Sequence, residues 1–358
     1  MGGEGLTQEV CRLRSLYPLL LAVPLAFYFE LAHANPLLVF LFSSLAIIPL
    51  AGLMGKSTEE VAIHAGPRVG GLLNATFGNA AELIITLFAL REGLVDLVKA
   101  SIVGSILGNL LLVLGFAAFL GGLRHKTLPF NPCLAQLNTS LLFMVVTSLV
   151  VPAVFSHGGA LDGRESLILS LVAALVLLAS YLASLLFSFH THRSLFHTSH
   201  HLIEEPEWSL PKALGVLVVS VILVVAMSDF LVRAVEPAMA SLGVSEAFLG
   251  IIFVPIIGNA AEHSTAVLVA LKGRMDLSLE IAIGSSTQIA LLITPILVLA
   301  GLLFGRPMDL VFNPLELTVL ILGVLMVNFV IRDGDTNYLE GLLLLFTFAV
   351  MAVAFYLV

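Results

Sequence analysis

Charge is scarce in this chain of 358 residues. Asp, Glu, Lys and Arg make up 11% of it, where a soluble domain carries about 25%. A soluble fold needs a charged surface, so that shortage argues against one. Cysteine is nearly absent. Cys11 and Cys133 form no CxxC or Cys/His pattern, which excludes a disulfide framework and a zinc module. No basic patch interleaved with aromatics is present, which argues against a nucleic-acid partner. No catalytic constellation stands out, and neither an enzyme nor a resident cofactor is expected.

What the chain has in quantity is apolar length. Hydrophobic residues make up 59%, and the mean hydropathy is +1.08. Runs of about 20 apolar residues can each span the hydrocarbon of a bilayer. They fall at 15–34, 36–53, 70–91, 97–121, 133–155, 166–189, 212–234, 247–271, 277–304, 312–331 and 338–357. The runs are unbroken, so helices rather than barrel strands are expected. The expected fold is an all-α polytopic membrane protein of eleven transmembrane helices.

Orientation follows from the lysines and arginines of the connections. Eleven of the sixteen lie on one side: Arg12, Arg14, Lys56, Arg68, Arg124, Lys126, Arg193, Lys212, Lys272, Arg274 and Arg332. Arg91, Lys99, Arg164, Arg233 and Arg306 lie on the other. The first side should be cytoplasmic, with the N-terminus inside and the C-terminus outside. Short loops incline the reading toward a prokaryotic inner membrane. Arg12 and Arg14 before an apolar run, then Ala32-His33-Ala34, also have features of a signal peptide. Glu30 is unusual for one, and cleavage would leave ten helices in the same orientation.

The motif GNAAE occurs at 78–82 and again at 258–262. The same offset of 180 superposes Gly70 on Gly250, Gly93 on Gly273, Asp96 on Asp276, Gly104 on Gly284 and Ser105 on Ser285. Phe130-Asn131-Pro132 matches Phe312-Asn313-Pro314 at an offset of 182. Five helices separate matching positions, and five is odd, so the second copy should be inverted. The expected organisation is residues 1–34 with an extra helix 1, a first repeat at 35–189, a loop at 190–211 and a second repeat at 212–358. Inverted repeats are a transporter architecture with the site near the midplane.

Glu82 and Glu262 fall within apolar helices, where a charged acid costs about 2.5–3.5 kcal/mol on insertion scales. No Lys or Arg is expected at matching depth. Two facing carboxylates suit a hard divalent cation with oxygen ligands. Without the cation they repel each other and take up protons. A site that holds either a dication or protons is the minimal device of an antiporter. Gly78 and Gly258 permit close backbone approach. Asn79 and Asn259 offer side-chain oxygens or hold a local break, and Pro255 should kink helix 8 just before its motif. Ser105, Asn109, Ser285, Ser286 and Gln288 are polar residues in the following helices, suited to interhelical hydrogen bonds.

These motifs resemble the cation/calcium exchanger superfamily, within it the calcium/proton antiporter branch. The resemblance rests on GNAAE, on GNAAEH, and on GSILGN (104–109) paired with GSSTQIAL (284–291). It covers helices 2–11. It implies that Glu82 and Glu262 bind the ion and carry protons, with Asn79 and Asn259 close by. It also implies that helices 2 and 7 slide past the motif helices. Sodium/calcium exchangers of that superfamily have a Ser/Thr-rich stretch before the acid. This chain has Ala-Ala in both copies, which favours protons as counter-ion. His263 follows Glu262 where Leu83 follows Glu82; it suits a proton relay or a hydrogen-bonded packing role.

The middle loop carries His190, His192, His197, His200 and His201, then Glu204, Glu205 and Glu207. The family often has an acidic, calcium-sensing segment here. Histidine instead suits zinc or a pH response, and the plain alternative is a solvated linker. The expected function is exchange of cytoplasmic calcium for external protons across a lipid bilayer. Manganese or another divalent cation, an uncoupled channel, and a membrane sensor are the alternatives.

Overall fold

The computed structural model describes residues 17–191 and 206–357. Arg12, Arg14, His197, His200, His201, Glu204 and Glu205 lie outside the described residues. Among the described residues, eight helices are long and apolar enough to cross a membrane. Two shorter apolar helices, Pro18–Leu31 and Pro314–Val330, accompany them. The protein is thus a multi-pass membrane protein.

The helices are numbered α1 (Ala22–Leu31), α2 (Pro36–Phe77), α3 (Ala80–Glu92), α4 (Val95–His125), α5 (Pro132–His157) and α6 (Gly163–Leu186). They continue with α7 (Leu210–Leu242), α8 (Glu246–Leu271), α9 (Met275–Leu303), α10 (Pro314–Val330) and α11 (Tyr338–Leu357). Leu175, Val218, Ile222 and Phe346 sit mid-helix and are more than half exposed. Large apolar side chains so placed are solvated by lipid, not water. Helix starts are set by local chemistry. Asn35 accepts the Leu37 N–H at 2.9 Å with Pro36 at the first position, and Asp162 and Asn313 form capping boxes with Glu165 and Glu316.

The second helix does not stop where its apolar run stops, near residue 53. It runs on through Lys56-Ser57-Thr58-Glu59-Glu60. Lys56 sits 3.2 Å from Glu60 one turn away, and the Thr58 hydroxyl donates to the Met54 carbonyl at 2.8 Å. The polar groups are satisfied within the helix, so it need not end. It breaks instead at Gly66, with φ 81° and ψ 171°. Pro67 disfavours an α conformation at the residue before it, and glycine accepts the positive φ at no steric cost. A second break falls inside the first motif. Gly78 and Asn79 form a turn, and α3 starts at Ala80.

Among the described residues, π-turns lie at Gly108–Val113 in α4, Leu249–Phe253 in α8 and Ile289–Ile293 in α9, and at Phe187–Thr191 directly after α6. The expected kink before the second motif takes this form. Pro255 lacks an N–H, and the wider turn immediately precedes it. In α9 the Thr294 hydroxyl closes the turn by donating to the Ile289 carbonyl at 2.9 Å.

The chain divides into two compact units. The first holds described residues 17–88, 206–244 and 257–261. Here α2 and α7 pack along each other and α1 packs on α2. Phe27 meets Phe230 edge-on at 5.2 Å, and Phe29 stacks on Phe42 at 5.0 Å. The end of the middle loop is fastened to α2. Glu207 lies 3.7 Å from Lys56, Glu60 accepts the Trp208 N–H at 3.0 Å, and His64 bonds the Trp208 carbonyl at 2.8 Å.

The second unit holds residues 89–191, 245–256 and 262–357. Its α4 crosses the π-turn of α8 on two glycines. A Cβ at Gly104 would stand 2.3 Å from the Ile251 carbonyl oxygen, and one at Gly250 would stand 2.5 Å from the Ala100 Cβ. At one end of this unit, Thr127–Pro129 pairs antiparallel with Asp335–Asn337. At that same end the Asn131 N–H donates to Asp276 at 2.6 Å, and His125 bonds the Leu271 carbonyl at 2.9 Å.

Candidate ion-binding site

Glu82 stands in the first turn of α3, just beyond the break at Gly78-Asn79. The helix dipole favours an anion at that position. Only 3% of the residue is exposed. Its carboxylate accepts a hydrogen bond from the Asn259 side-chain amide, and Asn259 is itself buried. A Cβ at Gly258 would stand 2.9 Å from the Glu82 Cγ. Two residues of the second motif copy therefore seat the acid of the first. Gly258 makes room and Asn259 supplies the donor. Asn79 is buried, and Thr86 bonds back to the Glu82 carbonyl at 2.7 Å, securing the first turn.

Glu262 lies in the middle of α8 within the second unit. Ser285 of α9 donates to its carboxylate. Its Oε2 is sealed from solvent and has no protein hydrogen-bond partner. A buried carboxylate oxygen with a vacant lone pair is costly and is available to a cation or a proton. His263 Nε2 donates to Asn109 Oδ1 at 3.1 Å, and the Asn109 amide nitrogen is buried without a partner. Asn109 is the second residue of the π-turn of α4.

The remaining predicted residues separate by role. Ser285 reaches Glu262. Ser286 bonds back to the Ala282 carbonyl at 2.9 Å and also reaches the Ile106 carbonyl of α4 at 3.5 Å. Ser105 is buried, and Gln288 is half-buried at the edge of the π-turn of α9. Glu207 belongs to the Lys56 cluster. Among the described residues, no group of three or more His, Cys, Asp or Glu side chains has metal-holding geometry. Residue type alone did not reveal the Lys56–Glu60–Trp208 fastening. Its only sequence signal is the Lys-Glu spacing of one helical turn. Lys99, counted with the connections, lies inside α4 and is 9% exposed.

Fold and site define a multi-pass membrane protein built around buried, amide-held and hydroxyl-held carboxylates. The family model for sodium/calcium exchanger protein matches residues 35–190 and 212–357. The Ca(2+)/H(+) antiporter of Aphanothece halophytica is 46% identical over 357 residues, covering 95% of each chain. The Ca(2+)/H(+) antiporter ChaA of Bacillus subtilis is 43% identical over 340 residues, 94% of this chain and 96% of that one. Among solved structures, native YfkE superposes with a TM-score of 0.84 at 39% identity, covering 96% of this chain and all of that one. The H+/Ca2+ exchanger CAX shares the fold, with a TM-score of 0.73 at 15% identity over 98% of this chain and 93% of that one. The chain belongs to the sodium/calcium exchanger family.

Proposed function

We infer that this protein is a calcium/proton antiporter. The observation that carries the reading is the seat of Glu82. It is an acid 3% exposed in a membrane helix, held by the glycine and asparagine of the repeated motif. An acid so placed needs a proton or a cation to persist. Relatives that carry the antiporter name along nearly the whole chain support the reading.

In this proposal, Glu82 and Glu262 bind calcium and carry protons in alternation. Calcium binding requires both carboxylates ionised. Protonating them discharges the ion, so one site cannot hold both cargoes at once. Asn259 and Gly258 seat Glu82 with Gly78 and Asn79 in support, and Ser285 seats Glu262 with Ser105, Ser286 and Gln288 in support. The Asn109–His263 pair distinguishes the second acid from the first. Eleven spans, helix 1 and two inverted repeats (35–189 and 212–358), account for the odd separation of the motifs. The N-terminus then lies inside and the C-terminus outside, with α2 and α7 as the sliding pair. The protein works with no resident cofactor and catalyses no bond chemistry.

The test is flux in sealed vesicles. An imposed proton gradient drives calcium uptake in the opposite direction. Calcium flux indifferent to that gradient would refute coupling. Glu82→Gln and Glu262→Gln each abolish exchange while the protein remains folded by thermal melting; normal exchange in either variant would show that the site lies elsewhere.

A further inference from the structure

At the other end of the second unit, four helix ends meet around a cavity of 310 Å3. They are the start of α4, the end of α5 and the starts of α8 and α10. Charge bias places these ends on the external side. Asp96, Lys99, His157, Asn313 and Glu316 line the cavity. Glu316 is 6% exposed and accepts the Asn313 N–H at 3.2 Å. Lys99 and Asp96 line the same cavity as Glu316.

Lys99 does not point to water. Its ammonium donates to Asp309 and, at 2.9 Å, to the Val311 carbonyl. A lysine on a flexible stem normally snorkels to solvent; this one is held at the cavity wall by Asp309 and the Val311 carbonyl. The arrangement is one-sided. At the repeat offsets, Lys99 corresponds to Leu279 and Glu316 to Leu134. Asp96 corresponds to Asp276, which sits at the opposite end and accepts the Asn131 N–H. This cavity therefore carries a fixed cation among acids, and the corresponding positions of the other repeat do not.

We propose that Lys99 is a tethered counter-ion that keeps the external mouth from retaining the divalent cation being released. The inference rests on the antiporter reading above. Asp96, Asp309, Glu316 and the Val311 carbonyl are hard oxygen donors of the kind calcium takes. Left alone, such a mouth would hold calcium on its way out. The ammonium occupies two of those oxygens and adds a like charge within the cavity, which raises the cost of a resident dication. Protons arriving from outside meet acids already neutralised in part, so the mouth empties without trapping its cargo.

Everted membrane vesicles, whose lumen corresponds to the outside, supply the test. Calcium uptake driven by a proton gradient is measured against calcium preloaded in the lumen. Lys99→Met should lower the half-inhibitory lumenal calcium by about tenfold or more, and Lys99→Arg should leave it near the wild-type value. Glu316→Gln, with Lys99 in place, should move it the opposite way. That variant also keeps the proposal falsifiable should Lys99→Met fail to fold. A purely structural lysine would lower uptake equally at every lumenal concentration, with the half-inhibitory value unchanged. Unchanged values in both Lys99→Met and Glu316→Gln would overturn the proposal. If the wild-type protein itself exchanges no calcium for protons, the antiporter reading falls as well. If it does and only the shifts are missing, this inference alone falls.

Discussion

Replacing Gly258 by alanine adds one carbon against the acid of the other motif. Built on the observed backbone, that carbon lies 2.9 Å from the Glu82 Cγ. Favourable carbon contact begins at about 3.5 Å. Glu82 must therefore retreat by roughly 0.6 Å, or the two segments must part by as much. Overpacking of this kind costs about 1–3 kcal/mol. The Asn259 amide that bonds Glu82 is the next residue along, so the carboxylate cannot swing away without losing its donor. A displacement of about 1 Å in a reacting site costs on the order of 100-fold. Calcium uptake driven by a proton gradient should fall by about 10–100-fold in Gly258→Ala. Gly284→Ala is the control. Gly284 matches Gly104 in the repeat, and nothing lies within 4 Å of its added carbon, so uptake should hold. A Gly258→Ala protein that transports within about twofold of wild type would show that the contact does not position Glu82.

Two further substitutions test the surroundings. Asn259→Ala removes the donor to Glu82; a hydrogen bond to a charged group contributes about 1.5–3 kcal/mol, so half-saturating calcium should rise by about 10–100-fold, read from uptake curves. Lys56→Met leaves Glu60, which is fully buried, without its cation. Stripping one partner from a buried pair costs about 3–5 kcal/mol. The melting temperature in detergent should drop, and a compensating Glu60→Leu on the same background should restore most of it; a Lys56→Met protein that melts with wild type would show that the pair carries no stability.

Much of this architecture was legible because lipid imposes a simple rule on sequence. Apolar runs marked the chain as helical and membrane-spanning, and the offset of 180 related the two GNAAE motifs. The ends of α2 were not legible. Hydropathy reports solvation, whereas helix termination depends on where backbone hydrogen bonds stop, and Lys56 through Glu60 keep theirs. The π-turns left no periodic signal. Pro255 announced an irregularity without its type, and Gly108-Asn109 announced nothing. The pattern tied the two copies of the motif together, but only coordinates reveal that Gly258 and Asn259 serve Glu82. His263 stood out against Leu83 in the sequence, yet its partner Asn109 lies 154 residues away, beyond any local spacing rule.

The Lys56 fastening bears on how the chain is made. Trp208, whose N–H bonds Glu60, lies 148 residues downstream. At ordinary synthesis speed that separation is roughly 7–30 s. For that interval Glu60 has no Trp208 N–H to accept. It travels with its own neutralisation, because Lys56 and Glu60 sit one turn apart on the same helix. A buried charge without a partner is costly. Paired in cis, Lys56 and Glu60 let the helix enter early and wait, and Trp208 completes the joint when α7 follows. The local half of the fastening can therefore form as soon as α2 is made, and the Trp208 half only after residue 208 is made.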